Sequence, residues 1–256
     1  MTRTVCYEQP LNERVRILLR LEFLFHQIDH ALAGHSQWDS RAALQGLFDI
    51  LSLTARNELK SELLKELDRH SSSLHRLRQI AEVDTQALER IQEEIAQVSR
   101  RVHSVNVQSL EAVRQNEFLN AIRQRSSIPG GTCRFDLPLL HHWLQRDSSQ
   151  RQADLENWLR PLQPLAEGVE TILKLIRTSA TPQEEIALQG FFQKALDSSA
   201  PSQMVRVILP VELGLFAEIS GGRHRFSIRF LSQPSPDRRA VPVKDDISFQ
   251  LCCCII

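Results

Sequence analysis

From about residue 11 to residue 179 the apolar residues recur at helical spacing, and beyond that point they recur at every second position. One kind of element cannot carry both periods, because helix side chains return to a face after about 3.6 residues and strand side chains after about two. The chain is therefore expected to be α+β. A mostly α-helical body, a helical bundle, should carry a small antiparallel β-sheet formed mainly by the C-terminal region. The corresponding division is residues 1–10 as an N-terminal strand joining the β region, 11–180 as the α-helical domain and 181–256 as the β-strand domain.

Within the helical part, Asn12 is placed to cap a helix running to about residue 33. Leu11, Val15, Leu18 and Phe25 share one stripe that Leu21, Leu24 and Ile28 widen, so most of this helix should be buried. Glu13, Arg16, Arg20, Phe23 and Gln27 occupy the remaining face, with Arg16 and Arg20 one turn apart and no acid directly between them. Residues 34–38 read as a connection, and 41–53 and 57–71 as helices. In the second of these, Glu62 with Lys65 and Glu66 with Arg69 form pairs suited to a solvated face beside Leu59, Leu63 and Leu67. Asp84 is placed to cap a helix whose apolar row is Leu88, Ile91, Ile95, Val98 and Val102. One further helix over 109–125 must stop at Ser127-Ile128-Pro129-Gly130-Gly131. Asp136 and Asp147 then open two more, and Leu165, Val169, Ile172 and Ile176 mark the buried face of the last.

The alternating segments are Val205, Val207 and Leu209; Phe226, Ile228 and Phe230; and Ile247, Phe249 and Leu251. Gly221-Gly222 and the Pro-rich stretch 232–242 supply turns, and Gly190-Phe191-Phe192 suits an extended segment. On the middle strand Arg225 and Arg229 fall on the opposite parity from the phenylalanines, with Ser227 between them and Arg223 preceding. On one face, Arg223 and Arg225 would stand about 7 Å apart and Arg225 and Arg229 about 13 Å. A solvated outer face, or ion pairs to the helices, would account for the pattern. Like charges in a row are nevertheless unfavourable unless something answers them, and an acidic partner would.

Several function classes are disfavoured. Lys plus Arg and Asp plus Glu both number 31, so no global attraction draws the chain to phosphate, and with a single Tyr the nucleic-acid reading stands only as the alternative. Arg20, Glu22 and His26 interrupt the most apolar early stretch, so no membrane span is expected, and Glu8 and Pro10 lie where an export signal would need its apolar core. An intracellular, cytoplasmic protein is expected. The five cysteines, Cys6, Cys133, Cys252, Cys253 and Cys254, have neither disulfide nor metal spacing. The last three read as a strand with alternating faces, and Cys133 as a small buried hydrophobe. The usual catalytic motifs are absent and His141-His142 lie about 100° apart on a helix. No enzyme, cofactor or metal is therefore expected.

A set of longer runs carries a family resemblance. They are Glu8-Gln9-Pro10-Leu11-Asn12-Glu13 with Arg20-Leu21-Glu22-Phe23-Leu24, then Glu62-Leu63-Leu64-Lys65-Glu66-Leu67-Asp68-Arg69, and Arg123-Gln124-Arg125 through Gly131. Phe135-Asp136-Leu137-Pro138 with His141 and Trp143-Leu144 follow, then Leu175-Ile176-Arg177 and Ile219-Ser220-Gly221 with Arg225-Phe226 and Ile228-Arg229-Phe230. In these the chain resembles the bacterial cell-division factor ZapD family. The resemblance implies a non-enzymatic homodimer at the midcell division site, which binds the C-terminal peptide of the tubulin-like FtsZ, bundles its filaments and promotes Z-ring assembly. It implies a basic peptide-binding surface at Arg20, Arg56, His141, Arg225 and Arg229, with Arg223 joining from the strand row. A basic family position is replaced here by Glu117, with Arg114 one turn away as a candidate substitute.

Overall fold

The computed structural model describes residues 3–54, 59–77, 84–197, 202–222 and 224–255. Arg56 and Arg223, both expected at the binding surface, lie outside the described residues, as does part of the helix read over 57–71. Among the described residues the helices are α1 (Glu13–Leu32), α2 (Gln37–Leu53), α3 (Leu59–Leu77), α4 (Thr85–His103), α5 (Val107–Arg114), α6 (Glu117–Ser126), α7 (Pro138–Leu144), α8 (Ser148–Leu159) and α9 (Gln163–Thr178). The strands are β1 (Thr4–Pro10), β2 (Gln183–Ala187), β3 (Phe191–Ala195), β4 (Met204–Pro210), β5 (Leu215–Gly221), β6 (Arg225–Ser232), β7 (Val241–Pro242) and β8 (Ile247–Cys254). The class is α+β with a helical body, as the two periods require. The chain divides into two compact units, Leu19–Ile172 and Met1–Leu18 with Leu173–Ile256.

In the helical unit the apolar stripes are buried where the periods place them: Leu63, Leu67, Val102, Val169 and Ile172 are all fully enclosed. Gly46 lets α2 approach α1 closely, since a Cβ there would come within 2.6 Å of Ile28 Cγ1. Asp84 caps α4 by accepting from the amides of Gln86 and Ala87, both at 3.0 Å.

Local chemistry moves several boundaries. Ser36 and Asp39 form a reciprocal capping box, so α2 begins at Gln37 inside the stretch read as a connection. The single helix expected over 109–125 is two. Asn116 accepts from the Leu119 amide at 3.0 Å, while the Asn120 side chain donates to the Arg114 carbonyl at 2.9 Å, ending α5 and starting α6. Asp136 does not cap α7, which starts on Leu137 with Pro138 in its first turn, and Asp147 occupies the N-cap position of α8 without a side-chain bond. The Glu66 carboxylate meets Arg69 at 2.7 Å as its spacing predicts, yet its side chain is only 5% exposed rather than solvated.

Among the described residues the β unit holds two antiparallel four-stranded sheets rather than one small one. The first has the order β1-β4-β8-β2; the second has β3-β6-β5, with β7 pairing on to β6. Val205, Val207 and Leu209 of β4 and Phe249 and Leu251 of β8 share a core with Phe226, Ile228 and Phe230 of β6. Ring contacts such as Phe230 to Phe249, with centroids 5.1 Å apart, join the two sheets face to face. The chain crosses from β2 to β3 through Gln189 and Gly190, both at positive φ (51° and 71°). A Cβ at Gly190 would also strike the Val243 carbonyl at 2.5 Å, so this turn requires glycine.

Candidate partner-binding surfaces

The parity of β6 separates its two faces. Phe226, Ile228 and Phe230 are at most 1% exposed, and Arg225 and Arg229 are exposed on the other side. In the ladder, Arg229 lies between Phe191 of β3 and Glu218 of β5, and Ser227 between Gln193 and Ser220. Among the described residues neither arginine forms an ion pair or a side-chain hydrogen bond. Glu218 occupies the neighbouring ladder position without closing on Arg229. Phe191, an apolar ring 45% exposed, stands beside this charge. At the Arg225 end, Gln193, Ser220, His224 and Ser227 line an open depression of about 530 Å³. This face offers cations, small polar side chains and one apolar ring, which suits an extended chain carrying carboxylates.

The other expected residues lie in the helical unit. Arg20 is exposed on α1, with Phe23 66% exposed one turn on, while Arg16 is engaged by Glu13. His141 is half-buried on α7 with the Gln145 side chain 3.4 Å from its Nδ1, and His142 is exposed. Arg114 is directed inward, its Nη2 3.4 Å from both the carbonyl and the hydroxyl of Thr54. Part of its guanidinium is thus engaged, while its Nε is buried without a hydrogen-bond partner among the described residues.

Two other arginines, Arg177 and Arg206, are committed to structure. Arg177 grips Glu8 with two bonds of 2.9 and 2.8 Å, and Arg206 Nε reaches the same carboxylate at 3.0 Å. Burial would raise the Glu8 carboxyl, but the hydrogen bonds and charges of Arg177 and Arg206 hold it below its usual value. Burial pushes the Cys254 thiol up to about 12, which makes it a poor nucleophile. Cys133 is half-buried rather than enclosed, and its thiol donates to Asp136 at 3.3 Å.

A further surface lies where α2, α6 and α7 meet, and sequence reading passed over it. Trp38, placed by spacing in a connection, sits in the first turn of α2 and is 78% exposed. The Arg41 guanidinium lies 5.7 Å from its ring centroid, at the mouth of a cavity of about 390 Å³. The (i, i+3) spacing of Trp38 and Arg41 was the available signal, but it acquires meaning only once Ser36 is known to start the helix.

Residues 19–229 match the ZapD family, described as a cell division protein. Proteins called "Cell division protein ZapD" from Methylococcus capsulatus and Aromatoleum aromaticum are 44% and 40% identical to this chain. The first alignment spans 100% of both chains; the second spans 98% of this one and 97% of its relative. The relative from Coxiella burnetii is 37% identical over 99% of this chain and 98% of its own. The chain belongs to the ZapD family. Membership in ZapD places the protein in cell division. The span matched to ZapD contains Arg20, His141, Arg225 and Arg229, together with the Trp38 and Arg41 cavity. Among the described residues no helix is long and apolar enough to cross a membrane.

Proposed function

We propose that the protein binds the C-terminal tail of FtsZ and, as a two-fold homodimer in the cytoplasm, ties FtsZ filaments together at the midcell division site. The observation that carries this reading is the outer face of β6, where Arg225 and Arg229 stand exposed with no carboxylate among the described residues closing on them and Phe191 alongside. A guanidinium presents up to five N–H donors in a planar fork, so each arginine is suited to a carboxylate on an extended tail. Phe191 gives an apolar tail side chain something to cover. Arg223 is assigned to the same basic row and Arg20, Arg56 and His141, within the helical unit, as further basic contacts for acidic groups; Phe23 beside Arg20 repeats the pairing of cation and ring.

The bundling step follows from valence. A monomer with one weak peptide site links nothing, whereas a two-fold dimer presents two sites. Successive tails along a filament then raise the effective concentration, so weak individual contacts sum to stable cross-links. No chemical step is required of the protein.

The test is a pull-down of the full chain with an immobilised FtsZ tail peptide, run beside a peptide whose acidic residues are replaced by their amides. Capture by the acidic peptide that falls several-fold with the amide version, and falls again between 50 and 200 mM salt, is the expected result. Equal capture by both peptides would remove the charge argument. A salt-sensitive shift of DNA without peptide capture would favour nucleic acid instead.

A further inference from the structure

The cavity between α2, α6 and α7 has an apolar floor and a basic rim. Leu44, Phe48, Ile122 and Leu140 form the floor and are at most 5% exposed. At the rim, Arg41 Nη1 donates to the Thr132 carbonyl and hydroxyl, each at 3.2 Å, and Nη2 reaches the same carbonyl at 3.3 Å. These bonds fix the guanidinium while leaving part of its fork unused. Arg41 is half-buried and forms no ion pair among the described residues; burial lowers its pKa, with the Cys133 thiol opposing. Trp38 stands over the opening with most of its ring in water.

The acids nearest in sequence are spoken for. Asp39 closes the capping box with Ser36, and Asp136 accepts from the Cys133 thiol. Arg125 precedes the lining residue Ser126 and Arg134 follows Thr132 by two residues; both are exposed without an ion pair among the described residues. The cavity thus sets the Arg41 guanidinium, which no carboxylate answers among the described residues, next to an exposed indole and an apolar floor. A fixed guanidinium under-served by carboxylates is complementary to an acidic group, and the floor to a large apolar side chain.

We propose that this cavity is a second docking site, occupied by an extended protein segment that carries a carboxylate beside a large apolar side chain. The apolar side chain enters over Phe48 and Ile122, and the carboxylate takes the free edge of Arg41. Trp38 closes over the inserted side chain and loses its exposure. The site is made from α2, α6, α7 and the α6–α7 connection, so it does not require the β6 arginines or the FtsZ reading.

The test uses the full-length protein and a 12-residue peptide with Phe flanked by two Asp residues in a Gly-Ser background. A control peptide carries Lys in place of Asp. Tryptophan emission and acrylamide quenching are followed during titration, and sedimentation velocity records the oligomeric state. The acidic peptide should shift the emission to the blue and protect it from acrylamide. That response should be absent in Trp38→Phe, weakened at least tenfold in Arg41→Gln, and not reproduced by the Lys peptide. No response to the acidic peptide, an equal response to the Lys peptide, or unchanged binding by Arg41→Gln would each overturn the proposal. So would a change in oligomeric state in Trp38→Ala, since the surface would then belong to a second copy of this chain. Titrating the FtsZ tail peptide into Arg225→Glu, Arg229→Glu in parallel separates the two readings, because that variant keeps the cavity intact.

Discussion

The two sheets of the β unit both carry arginines on faces turned away from their shared core, and they treat them in opposite ways. On the first sheet Arg206 is joined by Arg177 from the end of α9, and both close on Glu8, with side-chain exposures between 19% and 25%. On the second sheet Arg225 and Arg229 are exposed, and Glu218 next to Arg229 makes no ion pair with it. The residue type is the same and the strand parity is the same. The difference is whether the fold has supplied a carboxylate, and it shows that arginine count alone says little about a binding surface. A row the protein leaves unanswered is available to something else.

That contrast yields a graded series of substitutions. The largest loss is expected inside the same strand as the exposed arginines: Phe230→Ala empties a fully buried position and should cost about 3–5 kcal/mol in urea unfolding. Glu8→Gln leaves two partly buried guanidinium groups facing a neutral amide and should cost about 2 kcal/mol by the same measurement. A loss under about 0.5 kcal/mol there would mean the first sheet's arginines are no more structural than the second's.

The pH dependence sharpens the same point. Because Glu8 is held below its usual value, its contribution is fully present above the unfolded carboxylate range, near 4.3, and is lost as pH falls through the folded value. The stability gap between wild type and Glu8→Gln should therefore narrow on acidification below about pH 4. A gap independent of pH would contradict that assignment. In the helical unit, where an acid serves a helix terminus instead of an arginine, Asp84→Ala should cost about 1 kcal/mol. Arg225→Gln with Arg229→Gln should change stability by less than about 0.5 kcal/mol, because neither arginine has an ion-pair or side-chain hydrogen-bond partner among the described residues.

The β6 pattern was legible because its alternation is clean: Phe226, Ile228 and Phe230 against Arg225, Ser227 and Arg229 admits one assignment of faces. The preceding strand was not. Leu215, Phe216 and Ala217 are consecutive apolar residues, so period two is blurred; Phe216 lies opposite Leu231, which is buried although it shares the parity of Arg229. With β5 hidden, the position of Glu218 beside Arg229 was hidden as well, since register is a property of two strands. The division of residues 107–126 into α5 and α6 escaped because neither Pro nor Gly marks it, and the break depends on two asparagine side chains bonding to backbone. The pairing of Glu66 with Arg69 follows from spacing, but its burial depends on tertiary packing. The cavity under Trp38 needed three helices to be brought together before any of it existed. Arg20, by contrast, was visible from one helical wheel, and it is exposed on the face that wheel assigns.

The central claim is that the outward arginines of β6 serve a partner and contribute nothing the fold needs. Co-sedimentation of Arg225→Glu, Arg229→Glu with FtsZ polymers, on protein shown by circular dichroism and sedimentation to be folded and in its wild-type oligomeric state, tests it directly. The account predicts a folded variant that stays in the supernatant while wild type pellets with bundled filaments. A folded variant that pellets and bundles as wild type does would contradict it.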